Sequence, residues 1–413
     1  MNKLFNRNFI LLWQGQLVSQ IGSQAFVIAM TFWVKHETGS ATLVGMLMMI
    51  SHLPGVILGP LAGTIADRYS RRRIIIFCDL INGGAVLIVT VFLFSDPTAK
   101  TLILISLFII ATIVASVGSF FRPAITAAIP DIVPKNKVST ANSLIQSSVQ
   151  IATFIGQGIG GVLFRILGAP FLFLFNGISY FFSAVSELFT TIPQTLPEKP
   201  LNWQETLKAF KTDTIKGLNY VWKSRGMRSL FLVATVLNFF AMPFFVLFPF
   251  YVEDFMKVSA DWYGYILAAF GIGSITGYTV SGTIQLRGRA RSNILIGVLI
   301  VMSSSFSSLC VVFIPSIVLI IVFFIGALNG FFNINVITIL QITTPGEIRG
   351  RIFGLLNTLT MGLAPVAMGF SGVIADLSNQ NIPNIYLICG GILSVISLMV
   401  SKNKAFRDFL AKE

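Results

Sequence analysis

The sequence predicts an all-α membrane protein of twelve transmembrane helices in two pseudo-symmetric six-helix halves, and three observations predict it. Of its 413 residues, 54% are hydrophobic and 11% charged, where a soluble domain carries roughly 25% charged residues. A hydrocarbon core ~30 Å thick takes ~20 apolar residues per helix, so twelve spans use about 240 residues and leave about 170 for loops and tails. Finally, loops rich in Lys and Arg alternate with loops that have almost none.

Apolar runs between charges and Pro/Gly punctuation place spans near residues 9–34, 42–65, 74–94, 101–122, 139–164, 170–192, 229–252, 262–285, 292–313, 317–341, 350–375 and 383–401. The first begins after Lys3 and Arg7, and Gln14, Gln16 and Gln20 fall where a signal peptide would keep its apolar region. It reads as an uncleaved span. An even number of spans puts both termini on one side. That side collects 25 Lys and Arg, whereas the other has four, Lys35, Lys100, Arg165 and Lys257. The positive-inside rule then places both termini in the cytoplasm, in a bacterial-type inner membrane.

The halves are expected at 1–192 and 229–413. Between them, residues 193–228 carry Pro193, Pro197 and Pro200 and then Leu207, Phe210, Leu218 and Val221 at helical spacing among lysines. That is an amphipathic helix suited to a membrane surface, and a plain linker is the more economical reading. A weak repeat supports two halves. Pro130 and Asn142 precede span 5 as Pro345 and Asn357 precede span 11, each pair 12 apart at an offset of 215. Such halves rocking around a midplane site are how many transporters alternate access.

Other classes find no support. The net charge of +13 is spread over short loops, whereas nucleic-acid binding needs a basic folded face. Cys78, Cys310 and Cys389 lie in three separate apolar segments with no metal or pairing pattern. With two histidines, no metal-ligand spacing, no nucleophile elbow and no loop long enough for a nucleotide domain, neither an enzyme nor a cofactor is expected.

After span 2 the chain reads Gly63-Thr-Ile-Ala-Asp67-Arg68-Tyr-Ser70-Arg71-Arg72-Arg73. This resembles the signature loop of the major facilitator superfamily, G-x-x-x-D-R-x-G-R-[KR], with Ser70 for the second glycine. Here a carboxylate and arginines such as Arg68, Arg71 and Arg72 can cap helix ends and pair across a half interface. Phe120-Phe121-Arg122-Pro123-Ala124 leading to Pro130-Asp131-Ile132-Val133-Pro134, and the opening Trp13-Gln-Gly15-Gln16-Leu-Val-Ser19, resemble the macrolide-efflux and enterobactin-exporter branch. The resemblance spans the chain and implies the major facilitator fold and a secondary transporter, within this branch more often a proton-driven exporter. Two departures stand out: Gln157 replaces the proline of the span-5 antiporter motif in Gly156-Gln157-Gly158-Ile159-Gly160-Gly161, and Ala115 and Ser23 stand where relatives often carry an arginine and an acid. Proton coupling is therefore not carried over residue by residue.

In the resembled fold spans 1, 4, 7 and 10 line a central cavity, bordered by span 5. Gln16, Ser19, Gln20, Ser23 and Gln24 share one face of span 1. A polar stripe against lipid is costly, so it should face protein or water. Thr112, Ser116, Gln146, Gln150, Gln157, Asn329 and Asn333 repeat the pattern, and Asn238 and Phe244 in span 7 join the candidate cavity. Interhelical hydrogen bonding is the competing reading. Apolar recognition surface is plentiful among 38 phenylalanines, which suits a bulky amphiphile. Gly55, Gly59, Gly156, Gly160, Gly273 and Gly277 recur at four-residue intervals, which lets helices pack closely or slide at a gate.

Ionisable groups inside spans are functional candidates by default. His52 lies near a span centre beside Pro54, and Asp79 and Glu187 lie about five residues, ~7 Å, inside the ends of spans 3 and 6. An ion pair with the Arg68–Arg73 cluster is the economical reading for Asp79, and Glu187 shares a face with Asn176, Ser179 and Ser183. The expected partners are an amphiphilic small molecule, protons and the bilayer, with no nucleic acid and no obligate protein partner. An uptake permease or lysolipid flippase of the same fold stays open, as does a passive channel, although no filter or pore ring is present.

Overall fold

The computed structural model describes residues 4–134, 137–194, 212, 215–216, 218–284 and 286–412. Four helices and a broken fifth, which makes two spans, arise from the first part of the chain. α1 (Arg7–Thr38) starts where the Asn6 side chain accepts from Phe9 N at 3.0 Å and stops at Gly39, whose φ of 63° a side chain would resist. α2 (Ala41–Arg68), α3 (Arg71–Ser95) and α4 (Lys100–Ile132) follow. The run Val138–Leu188 turns over at Gly168, φ 77°, two residues before Pro170, and so forms two spans, α5 (138–167) and α6 (169–188).

The second series is α7 (Arg225–Phe250) with a π turn at Tyr251–Phe255, α8 (Asp261–Thr283), α9 (Gly288–Ser308), α10 (Pro315–Thr343), α11 (Gly346–Gly362), α12 (Ala364–Leu377), α13 (Ile382–Ser401) and the short α14 (Lys404–Leu410). Span 11 is thus two helical pieces, α11 and α12, meeting at Leu363.

Among the described residues, ten helical segments are long and apolar enough to cross a membrane. The other two expected spans, α5 and α8, are also present as helices, α8 diluted by Gly, Ser and Thr. The connection 193–228 falls mostly outside the described residues, Leu207 and Phe210 included. Residues 218–223 are helical with Val221 buried.

The chain divides into two compact units, residues 1–39 with 50–206, and residues 40–49 with 207–413. In the first, α1 is clasped by the helices after residue 138: Gly156 admits Gln24 and the Ile21 carbonyl, and Gly160 admits Ile28, so both expected packing glycines sit in a seam. In the second, α8 and α10 interlock. A Cβ on Gly273 or Gly277 would stand 2.1 or 2.0 Å from the carbonyl oxygens of Phe323 and Ala327, and one on Gly326 or Gly330 would stand 2.2 Å from those of Phe270 and Ser274. Gly55 and Gly59 differ from expectation. Gly59 has open space at its Cβ position and Gly55 only Ser119 Oγ at 3.9 Å, so this ridge forms no seam.

At the start of α2, within the second unit, the Asp376 carboxylate of α12 accepts from Ser40 Oγ (2.8 Å), Ala41 N (3.0 Å) and Thr42 N (2.8 Å), while Gln380 Nε2 donates to it at 3.0 Å. A carboxylate on a helix N-terminus satisfies otherwise orphan N–H groups and opposes the helix dipole.

Candidate functional site

The first unit buries two carboxylates side by side. Small residues make this possible: a Cβ on Gly15 of α1 would stand 3.0 Å from Ser183 Oγ of α6, one on Gly22 would overlap Ser179 and Asn176, and one on Gly83 of α3 would press on Phe181 and Tyr180. Three helices are therefore drawn together around Asp79 (1% exposed) and Glu187 (2% exposed). Their charges interact, and Ser183 lies between them with its hydroxyl 3.4 Å from Glu187 Oε1. On the other side Gln16 Nε2 donates to Glu187 Oε1 at 3.1 Å, and Gln20 Nε2 to Gln16 Oε1 at 3.5 Å. Farther along, the Ser23 hydroxyl meets Tyr180 Oη at 2.9 Å.

Part of this cluster's hydrogen-bonding capacity is unused by protein. Asp79 Oδ2, Glu187 Oε2, Asn82 Oδ1 and both side-chain atoms of Asn176 are buried with no protein partner. The expected ion pair of Asp79 with the arginines is not formed. Arg71 instead pairs with Asp131 of α4 and, at 3.7 Å, with Asp67, and donates to the Ala127 carbonyl at 2.9 Å, all within the first unit. Arg72 donates to the Leu188 carbonyl at the end of α6. Two carboxylates held in an apolar interior without a cation cannot both stay ionised at reasonable cost. The arrangement calls for a proton or another cation.

The other candidates scatter. His52 is exposed on α2, and Thr112, Gln146, Gln150 and Asn333 are exposed on theirs; Ser116, Asn238 and Asn329 are half-buried, and the Gln157 side chain lies outside the described residues. Gln16 and Ser19 prove buried, so they serve the carboxylate cluster and helix packing and not an open cavity. Phe244 is also a correction: it packs among Phe245, Phe248, Phe306 and Tyr386, with centroids 4.9–5.6 Å apart, in the core of the second unit. Asn82 and Tyr180 were not among the expected site residues. The spacing Asp79-x-x-Asn82, which puts both on one face of α3, was the available signal.

Solved structures share the fold. The nucleoside transporter NupG superposes with a TM-score of 0.74 at 13% identity over 96% of this chain and 99% of its own. A D-xylose-proton symporter gives 0.67 at 15% identity over 95% and 96%. Among curated proteins, macrolide efflux protein A of Streptococcus pyogenes is 24% identical over 396 residues, 95% of this chain and 94% of that protein. The multidrug efflux pump Tap of Mycolicibacterium fortuitum is 24% identical over 376 residues, 87% of each. The transmembrane secretion effector family matches residues 2–413. With its helical spans and signature loop, the chain is a multi-pass membrane transporter and belongs to the transmembrane secretion effector family of the major facilitator superfamily.

Proposed function

We propose that the protein exports an amphiphilic small molecule in exchange for protons, with the Asp79–Glu187 pair as the proton site. The observation that carries this reading is a buried carboxylate pair with no cation paired to it among the described residues. Relatives named for macrolide and multidrug efflux, aligned over nearly the whole chain, support the direction and cargo. Glu187 accepts from Gln16, which accepts from Gln20. Loading the pair with a proton therefore changes the bonding of the buried Gln16 and, through it, of the half-buried Gln20, the point at which a cargo would feel the change. Proton and cargo need only compete: protonation from outside expels cargo, and release of the proton inside readmits it. Both termini are taken to face the cytoplasm of the inner membrane, the side with 25 of the 29 basic residues.

The test is uptake of a labelled macrolide, cationic dye, catecholate siderophore and lysolipid into inverted vesicles, with and without a collapsed proton gradient. Uptake of at least one probe should disappear when the gradient is collapsed. Asp79→Asn and Glu187→Gln should abolish this dependence while leaving downhill exchange of the same probe. Uptake indifferent to the gradient would move the reading to a facilitator, a flippase or coupling to another ion.

A further inference from the structure

The second unit holds a cationic cavity that transport does not explain. It lies where α9 begins and α13 ends, the end of the bundle that carries the basic loops, and has a volume of about 330 Å³. α14 closes it. That helix is anchored by the buried side chains of Phe406, Phe409 and Leu410, by Arg291 Nε donating to the Leu410 carbonyl at 3.0 Å, and by Arg407 donating to Asn293 Oδ1 at 2.6 Å. So held, it lines the cavity with Lys404, Arg407 and Asp408, while Lys402 enters from the end of α13 and Arg289 from the first turn of α9.

Three features of the lining converge on one ligand chemistry. Four cations face a single acid, Asp408, and Arg289, Lys402 and Lys404 form no ion pair among the described residues. These four side chains are exposed, so solvent screens their repulsion, but like charges gathered on three elements create a positive potential that an anion would relieve. The 21-residue α9 also brings Arg289, Ser292 and Asn293 of its first two turns into the lining, and the positive end of a helix dipole favours an anion nearby. Independently, Ser292 lines the cavity at 2% exposure, and its Oγ is buried with no protein partner. Such a hydroxyl is costly to leave unpaired. A carboxylate would satisfy two or three of these donors; a tetrahedral phosphoryl group offers enough oxygens for cations, hydroxyl and helix end together.

We propose that this cavity binds a phosphoryl group, supplied by the headgroup of an anionic phospholipid or by free phosphate. Its placement at the ends of two membrane spans sets it at headgroup height, and basic pockets between helix ends suit such headgroups. The site is separate from the carboxylate pair and stands whether or not transport is proton-coupled.

The test uses the purified full chain in phosphatidylcholine nanodiscs. Binding of added phosphatidylglycerol and cardiolipin is measured by native mass spectrometry, and binding of inorganic phosphate by thermal shift in detergent. The comparison is with the combined Arg289→Gln, Lys402→Gln, Lys404→Gln variant and with Ser292→Ala. The triple variant should hold the anionic lipid about tenfold or more weakly, since each lost cation removes attraction that salt only partly screens. Ser292→Ala should weaken it less. Lipid binding that free phosphate does not displace identifies the headgroup as the source; a phosphate-dependent rise in melting temperature that the triple variant lacks identifies the free ion. If the triple variant does not fold, Lys404→Glu alone supplies the comparison. Wild-type chain that binds neither probe, or variants that bind both equally well, would overturn the proposal.

Discussion

At Glu187 one oxygen is served by Gln16 and Ser183 while the other, Oε2, is buried with no protein partner. A carboxylate kept in that condition carries a desolvation cost that its surroundings only partly offset. Glu187→Gln preserves shape and removes an ionisable group from an apolar interior, so the variant should be more heat-stable by about 1–2 kcal/mol, read as a higher melting temperature in detergent, even as it loses gradient-driven uptake. A lower melting temperature would mean that the carboxylate stabilises the fold and would weaken the proton-site reading. The same contrast explains what was legible at this scale. Asp79 and Glu187 stood out in the sequence because acids inside spans are rare, but their meeting did not, since it depends on glycines of α1 and α3 that let helices distant in sequence approach. Asp79 therefore looked like a partner for the nearby arginines, when Arg71 was already engaged by Asp131.

Elements were the most legible scale. Hydropathy located the spans, and the caps Asn6, Ser70 and Ser224 start α1, α3 and α7 where side-chain oxygens replace missing backbone partners. Local sequence could not reveal the cap supplied from a distance. The first turn of α2 is held by Asp376, more than 330 residues away along the chain. Asp376→Asn keeps the shape but removes the charge opposing the helix dipole and part of the acceptor capacity, a loss of about 1 kcal/mol. Hydrogen exchange at the amides of Ala41 and Thr42 should become correspondingly faster, with little change at the start of α7. Equal rates at both places would show that the carboxylate does not secure that turn.

For the whole molecule, composition and the alternation of basic loops sufficed for the fold class, whereas the fate of individual candidates did not follow from them. Phe244 had the right type for a cargo surface and became core packing; Gly55 and Gly59 had the right spacing for a seam, yet Gly55 meets only Ser119 at ordinary contact distance and Gly59 faces open space. Periodicity fixes the face of a helix, and only its neighbours decide what that face meets. The proposed orientation has its own test. In a chain with Cys78, Cys310 and Cys389 replaced by alanine, a cysteine at Thr98, in the loop after α3, should react with an impermeant thiol reagent on intact cells. One at Lys412 in the tail should react only after the membrane is opened, and the reverse pattern would invert the topology. The interlock of α8 with α10 also bears on heredity. Any coding change at Gly273, Gly277, Gly326 or Gly330 adds at least one carbon where a carbonyl oxygen already stands. A deep mutational scan should therefore show two pairs of intolerant positions four apart, where only synonymous changes that keep glycine are accepted.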